Sequence, residues 1–118
     1  MLWKEVKDKI LIFSEDDYVF ADMFISIIKE YDKVTNQEDL QVYTFAMLEE
    51  LMNENLINIF LLENNETGVL KTCLYEYSDT KSKVHLINLL NQKWKEIGYR
   101  LPTPAELFWL TSDLKIIE

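Results

Sequence analysis

Only two glycines, Gly68 and Gly98, and two prolines, Pro102 and Pro104, occur in 118 residues. Loops that need positive φ, and abrupt chain breaks, therefore have few positions to occupy. The chain is constrained to regular elements joined by short connections. With 48% hydrophobic and 13% aromatic residues, enough apolar surface is available for one core, and a chain of this length corresponds to one domain. A single globular domain over 1–118 is expected, ordered nearly end to end.

Residues 2–12 read as a short amphipathic helix on the spacing of Leu2, Val6 and Ile10. Ser14, followed by Glu15, Asp16 and Asp17, has the form of an N-cap and acidic first turn, so a second helix is expected from there to about Lys33. Its apolar residues surround a narrow polar stripe, as befits an element central to the core. Thr35 and Glu38 have capping-box spacing ahead of a third helix over roughly 36–54, with Leu40, Tyr43, Met47, Leu48 and Leu51 on one face. LINIFLLE, ENNETG and VLKTCLYEY then read as strand, turn and strand, although the last segment also tolerates a helix. A helix is expected over 79–97, carrying Val84, Leu86, Ile87, Leu90, Trp94 and Ile97 and ended by Gly98 in the left-handed conformation. Thr103-Pro104-Ala105-Glu106 combines N-cap, N1 proline and N3 acid, which predicts a short helix through Leu107, Phe108, Trp109 and Leu110. The expected fold is mainly α within the α+β class: a compact helical domain of four to five helices and one small antiparallel hairpin, an order that a winged-helix scaffold would also produce.

Charge narrows the functional classes. The formal net charge is −9, and it is polarised: residues 15–66 carry thirteen acids against Lys29 and Lys33, a net of −11, whereas 67–118 carry six acids and seven bases. No Lys or Arg lies between Lys33 and Lys71. Such a surface approaches basic partners and is repelled by phosphate backbones and anionic lipid. Many of the acids suit helix N-termini, but Glu49, Glu50 and Glu54 fall in the last turns of the third helix, where the dipole disfavours anions. Glu50 and Glu54 are also an i, i+4 like-charge pair with no nearby cation in sequence. These three, with Glu63 and Glu66 around the hairpin turn, are the candidate partner-binding patch; a merely solvated acidic face is the alternative.

Catalytic candidates are few. His85 is the sole histidine, and between Val84 and Leu86 on a helix it reads as a partly buried structural residue. Cys73, the sole cysteine, reads as a small buried hydrophobe; it leaves no internal disulfide framework, which favours a reducing, cytoplasmic setting. No CxxC, HExxH, phosphate-binding loop, GxGxxG or GxSxG is present. Adjacent carboxylates on a helix point in different directions and do not converge on one ion. No enzymatic activity, cofactor or metal is expected; a carboxylate-dependent enzyme would have to reveal itself by metal binding. No apolar run approaches the roughly 20 residues of a membrane helix, and the charged N-terminal segment has no signal-peptide pattern. In the winged-helix arrangement residues 36–54 would be the recognition helix, yet Glu38, Asp39, Glu49, Glu50 and Glu54 without a single base would meet phosphate repulsion. A regulatory or scaffold module acting through protein contacts is the form of that alternative that survives. The aromatic residues read first as core, with Phe108-Trp109 as the pair that could instead anchor a partner.

A short, acidic chain rich in Lys, Asn and Ile, with an acid-only stretch from Glu38 to Glu66 and the tryptophan-containing end PAELFWLTSDLKIIE, resembles the small immunity proteins of bacterial toxin–immunity pairs, including those of contact-dependent growth inhibition. The likeness is one of type and size across the whole chain and assigns no residue. It implies a basic, nuclease-like toxin domain as partner, bound by electrostatic complementarity that steers association.

Overall fold

Helix α1 spans Trp3–Asp16 and turns Val6, Ile10 and Ser14 inward. The computed structural model describes residues 1–64, 70–103 and 106–112, the side chains of 62–64 and 70–73 excepted. Ser14 is not the expected N-cap: it lies inside α1, buried, and its hydroxyl donates to the Leu11 carbonyl at 2.8 Å. That bond satisfies the hydroxyl within the preceding turn, so the helix passes through it. The acids expected to open a second helix instead close the first, and Asp17 accepts from the Tyr18 amide at 2.7 Å. Strand β1, Val19–Phe20, and helix α2, Ala21–Ile28, take the place of the long second helix. Ala21, Phe24, Ile25, Ile27 and Ile28 of α2 are buried, and the larger of these side chains each contribute about 1.5–3 kcal/mol.

Helix α3, Gln37–Asn53, follows the expected range with its cap moved by one residue. Asn36 Oδ1 accepts from the Asp39 amide at 2.8 Å, while Asp39 Oδ2 accepts from the Thr35 amide and hydroxyl at 3.1 and 2.7 Å. An Asn-to-Asp pair thus does the work expected of Thr35 and Glu38. At the far end Asn55 takes φ +55°, and the amides of Asn55 and Leu56 return to the carbonyls of Met52 and Leu51. This Schellman closure turns the chain directly into strand β2, Ile57–Asn64.

Strand β2 pairs antiparallel with β3, Leu70–Tyr75, which makes the expected hairpin and resolves the second segment as strand. Most of the turn expected over 63–68 lies outside the described residues. Helix α4, Thr80–Glu96, opens on a reciprocal Asp79–Ser82 capping box. It closes as expected: Gly98 has φ +72°, and the Gly98 and Tyr99 amides reach the Lys95 and Trp94 carbonyls. Leu86, Leu90 and Trp94 are buried, but Val84 is 49% exposed.

The largest departure follows Thr103. Its amide and hydroxyl donate to Glu106 Oε1 at 2.9 and 3.0 Å, and the Glu106 amide reaches the Thr103 carbonyl at 3.0 Å rather than the hydroxyl, so only half of the capping box forms. Among the described residues no helix follows it. Leu107 adopts φ +66°, which leaves the right-handed helical path, and Phe108–Ser112 becomes strand β4. Strand β4 lies between β1 and β2, giving a four-stranded antiparallel sheet in the order β1-β4-β2-β3. The fold is therefore α+β, with four helices among the described residues and a sheet that is there twice the width of the expected hairpin. Among the described residues no helix is long and apolar enough to cross a membrane.

Candidate functional site

The sheet has two dissimilar faces because side chains alternate along each strand. Val19, Leu110 and Ile59 are partners across β1, β4 and β2, and all three are fully buried in one cluster with Val6, Ile10, Phe24 and Leu51 from the helices. Phe20, Trp109 and Phe60 are the next rank of partners and project from the opposite face. They are only partly buried. Among the described residues, none of the three belongs to the core cluster or packs against it.

They pack on one another instead. Phe60 and Trp109 stack with ring centroids 4.0 Å apart and planes within 7° of parallel. Tyr18 meets the Trp109 ring edge-on at 4.5 Å, and Phe20 lies 6.5 Å from it. Leu74 of β3 is the cross-strand partner of Phe60 and is 52% exposed; Tyr18, at the other end, is 40% exposed. An apolar strip thus crosses all four strands. At the Leu74 end it runs into an open cleft of about 230 Å³ lined by Asn55, Asn58, Leu74, Glu76 and Tyr77 among others.

On the expected helix Phe108 and Trp109 would form one unit. The strand separates them: Phe108 is buried against Phe24, with ring centroids 5.7 Å apart, and Trp109 faces outward. The alternation in NIFL and FWL was the available signal for this outer face, but the local capping signal at Thr103 outweighed it.

The candidate acids are distributed differently from expectation. Glu50 and Glu54 are not distant from every cation, because α1 lies alongside α3 and brings Lys7 to both. Lys7 Nζ is 3.1 Å from Glu50 Oε2 and also pairs with Glu54. Trp3 Nε1 donates to Glu50 Oε1 at 3.2 Å, and the Trp3 ring packs on Tyr31 and Tyr43 at 4.9 and 5.7 Å. Partial burial alone would raise the Glu50 pKa, but the Trp3 and Lys7 hydrogen bonds outweigh it and hold the carboxyl below its ordinary value. For Lys7, the hydrogen bonds and charges of Glu54 and Glu50 likewise override the cost of desolvation and raise its pKa. Glu50 thus ties α3 to α1. Glu49 is exposed. Glu63 lies in β2 opposite Lys71 in the register, and Glu66 lies outside the described residues. The structure brings together Glu50 and Glu54, through Lys7.

His85 is exposed rather than partly buried, because the inward stripe of α4 runs through Leu86, Leu90 and Trp94. The Cys73 side chain lies outside what the structure describes. Among the described residues no group of three or more His, Cys, Asp or Glu converges as a metal site would require. No protein-family model, curated protein or solved structure matches the chain.

Proposed function

We propose that this chain is an acidic protein-binding domain, most concretely a cytoplasmic inhibitor of the immunity type that neutralises a basic, nuclease-like toxin by covering its active surface. The observation that carries this reading is the placement of the charge. Glu15, Asp16, Asp17, Glu30, Asp32, Glu38, Glu49 and Glu54, all within the segment of net charge −11, are exposed; Glu30, Asp32 and Glu54 pair with Lys9, the N-terminal amine and Lys7, and the segment keeps an excess of acids after these three cations are counted. Carboxylates so placed act as a field in solvent, raising the encounter rate with a cationic partner and repelling nucleic acid and anionic membranes.

In this reading the chain performs no chemistry of its own, and inhibition follows from occlusion. The likeness in size and charge to immunity proteins supports the choice of a toxin over other basic partners. The test is capture of partners by the tagged chain from its source organism at low salt, with nuclease activity assayed before and after the chain is removed. A basic polypeptide whose activity returns on removal is the expected result. Recovery of acidic partners, or of a basic partner equally active with and without the chain, contradicts it. Glu49→Lys should slow association at low ionic strength and have less effect at high salt, where exposed charges are screened.

A further inference from the structure

We infer that the outer face of the sheet, the strip formed by Tyr18, Phe20, Trp109, Phe60 and Leu74, is the docking surface, and that its occupant is an arginine-bearing surface of a basic protein. The inference rests on the proposed preference for a basic partner and adds where that partner sits and which side chain it presents.

Two observations define the occupant. The first is the strip itself, which lies apart from the core cluster and joins partly buried aromatic rings to two exposed ends. Rings of this kind offer π-faces and edges to a planar cation, and arginine uses them better than lysine because its guanidinium is flat and weakly hydrated. The second is the charge at both ends. The β1 end is flanked in sequence by Glu15, Asp17 and Asp22, and residues 15–28 contain no Lys or Arg. The β3 end opens into the cleft where the exposed Glu76 lies beside Asn55 and Asn58. A carboxylate and side-chain amides there can accept the forked N–H groups of a guanidinium whose neighbours rest on Leu74 and Phe60.

The same charges disfavour the other occupants of an aromatic sheet face. Single-stranded nucleic acid stacks on such platforms but needs a basic groove for its backbone. A second copy of the chain would bring −9 against −9.

The test titrates the isotopically labelled full chain at low salt with a capped peptide alternating Arg and Gly, mapping backbone and Trp109 indole resonances. A Lys-Gly peptide of equal length and a thymidine oligonucleotide are run in parallel, and sedimentation reports self-association. The expected result is shifts grouped at Phe20, Phe60, Leu74, Glu76 and Trp109, stronger for Arg than for Lys. Leu74→Lys should weaken the Arg peptide at least about tenfold, the scale of a central contact residue. Val84→Lys makes the same charge change at an equally exposed apolar position on α4 and should have a much smaller effect; resonance dispersion verifies that both variants fold. Shifts confined to Glu38 and Glu49 on α3, with Leu74→Lys no worse than Val84→Lys, would overturn the docking face and leave the basic-partner reading standing. Absence of Arg-peptide binding at low salt would remove both. Preferential binding of the oligonucleotide, or self-association through the strip, would overturn the assignment of its occupant.

Discussion

Ile59 and Phe60 are adjacent in β2, share the same hydrogen-bonded ladder, and meet opposite fates. Ile59 is completely buried beside Leu110 and Val19, whereas Phe60 stacks on Trp109 outside the core cluster. The comparison repeats in β4, where Phe108 and Leu110 face the helices and Trp109 between them does not. Hydrophobicity alone does not distinguish the members of these pairs; strand parity does. One face holds the domain together, and the other spends large aromatic side chains on a surface the core does not need. Apolar side chains that folding leaves outside the core, contiguous and part-exposed, are where interaction sites are found.

The sharpest way to break this comparison is to truncate one residue from each face. Ile59→Ala should cost about 2–5 kcal/mol in urea unfolding, the range for cavity-forming deletions in a packed core. Phe60→Ala should cost less, about 1–2.5 kcal/mol, because the half-buried ring loses only part of a full burial contribution together with its pairing to Trp109. Equal losses would mean that the two faces are equally core.

A smaller effect concerns the contact between α1 and α3. Lys7→Met removes the cation shared by Glu50 and Glu54, and because these groups are partly solvated the expected loss is about 0.5–1 kcal/mol, measured by the same unfolding transition. A loss of several kcal/mol would show Glu50 to be far more deeply dependent on Lys7 than its surroundings indicate.

A last effect lies at the entrance to β4; it is present in full at neutral pH and fades on acidification. The Arg100 guanidinium donates twice to the Glu106 carboxylate at 2.8 Å, and with the Thr103 amide it holds the Glu106 pKa at about 2, below its ordinary 4.5. A carboxyl whose folded pKa is depressed contributes stability in full above the unfolded value. That contribution is lost as pH falls from about 4.5 towards 2. Glu106→Gln should remove this part of the acid dependence of the melting temperature, so that the wild-type and variant profiles converge at low pH. Parallel profiles across that range would argue against the pair.

How much of this could be read from the sequence depended on whether an element was specified locally. Helix α4 was legible to within a residue because Gly98 marks its end, and α3 was legible although its cap proved to be Asn36. The hairpin followed from two β-rich segments around a glycine. Strands β1 and β4 were not legible, since each forms only by pairing with residues far away in sequence. Capping chemistry at Ser14 and Thr103 pointed to helices that tertiary pairing did not use. The acidic site was legible as composition and misjudged as geometry: the cation that neutralises Glu50 and Glu54 is Lys7, more than forty positions earlier. The aromatic strip was hidden by the same error that made β4 a helix, because parity has meaning only once the segment is known to be a strand.

The central claim, that the outer sheet face serves binding rather than folding, is tested most directly by measuring stability and Arg-peptide affinity on the same Phe60→Ala protein. A loss of affinity of about tenfold or more, with a stability loss clearly smaller than that of Ile59→Ala, is the predicted result. Unchanged affinity together with a stability loss as large as that of Ile59→Ala would contradict it.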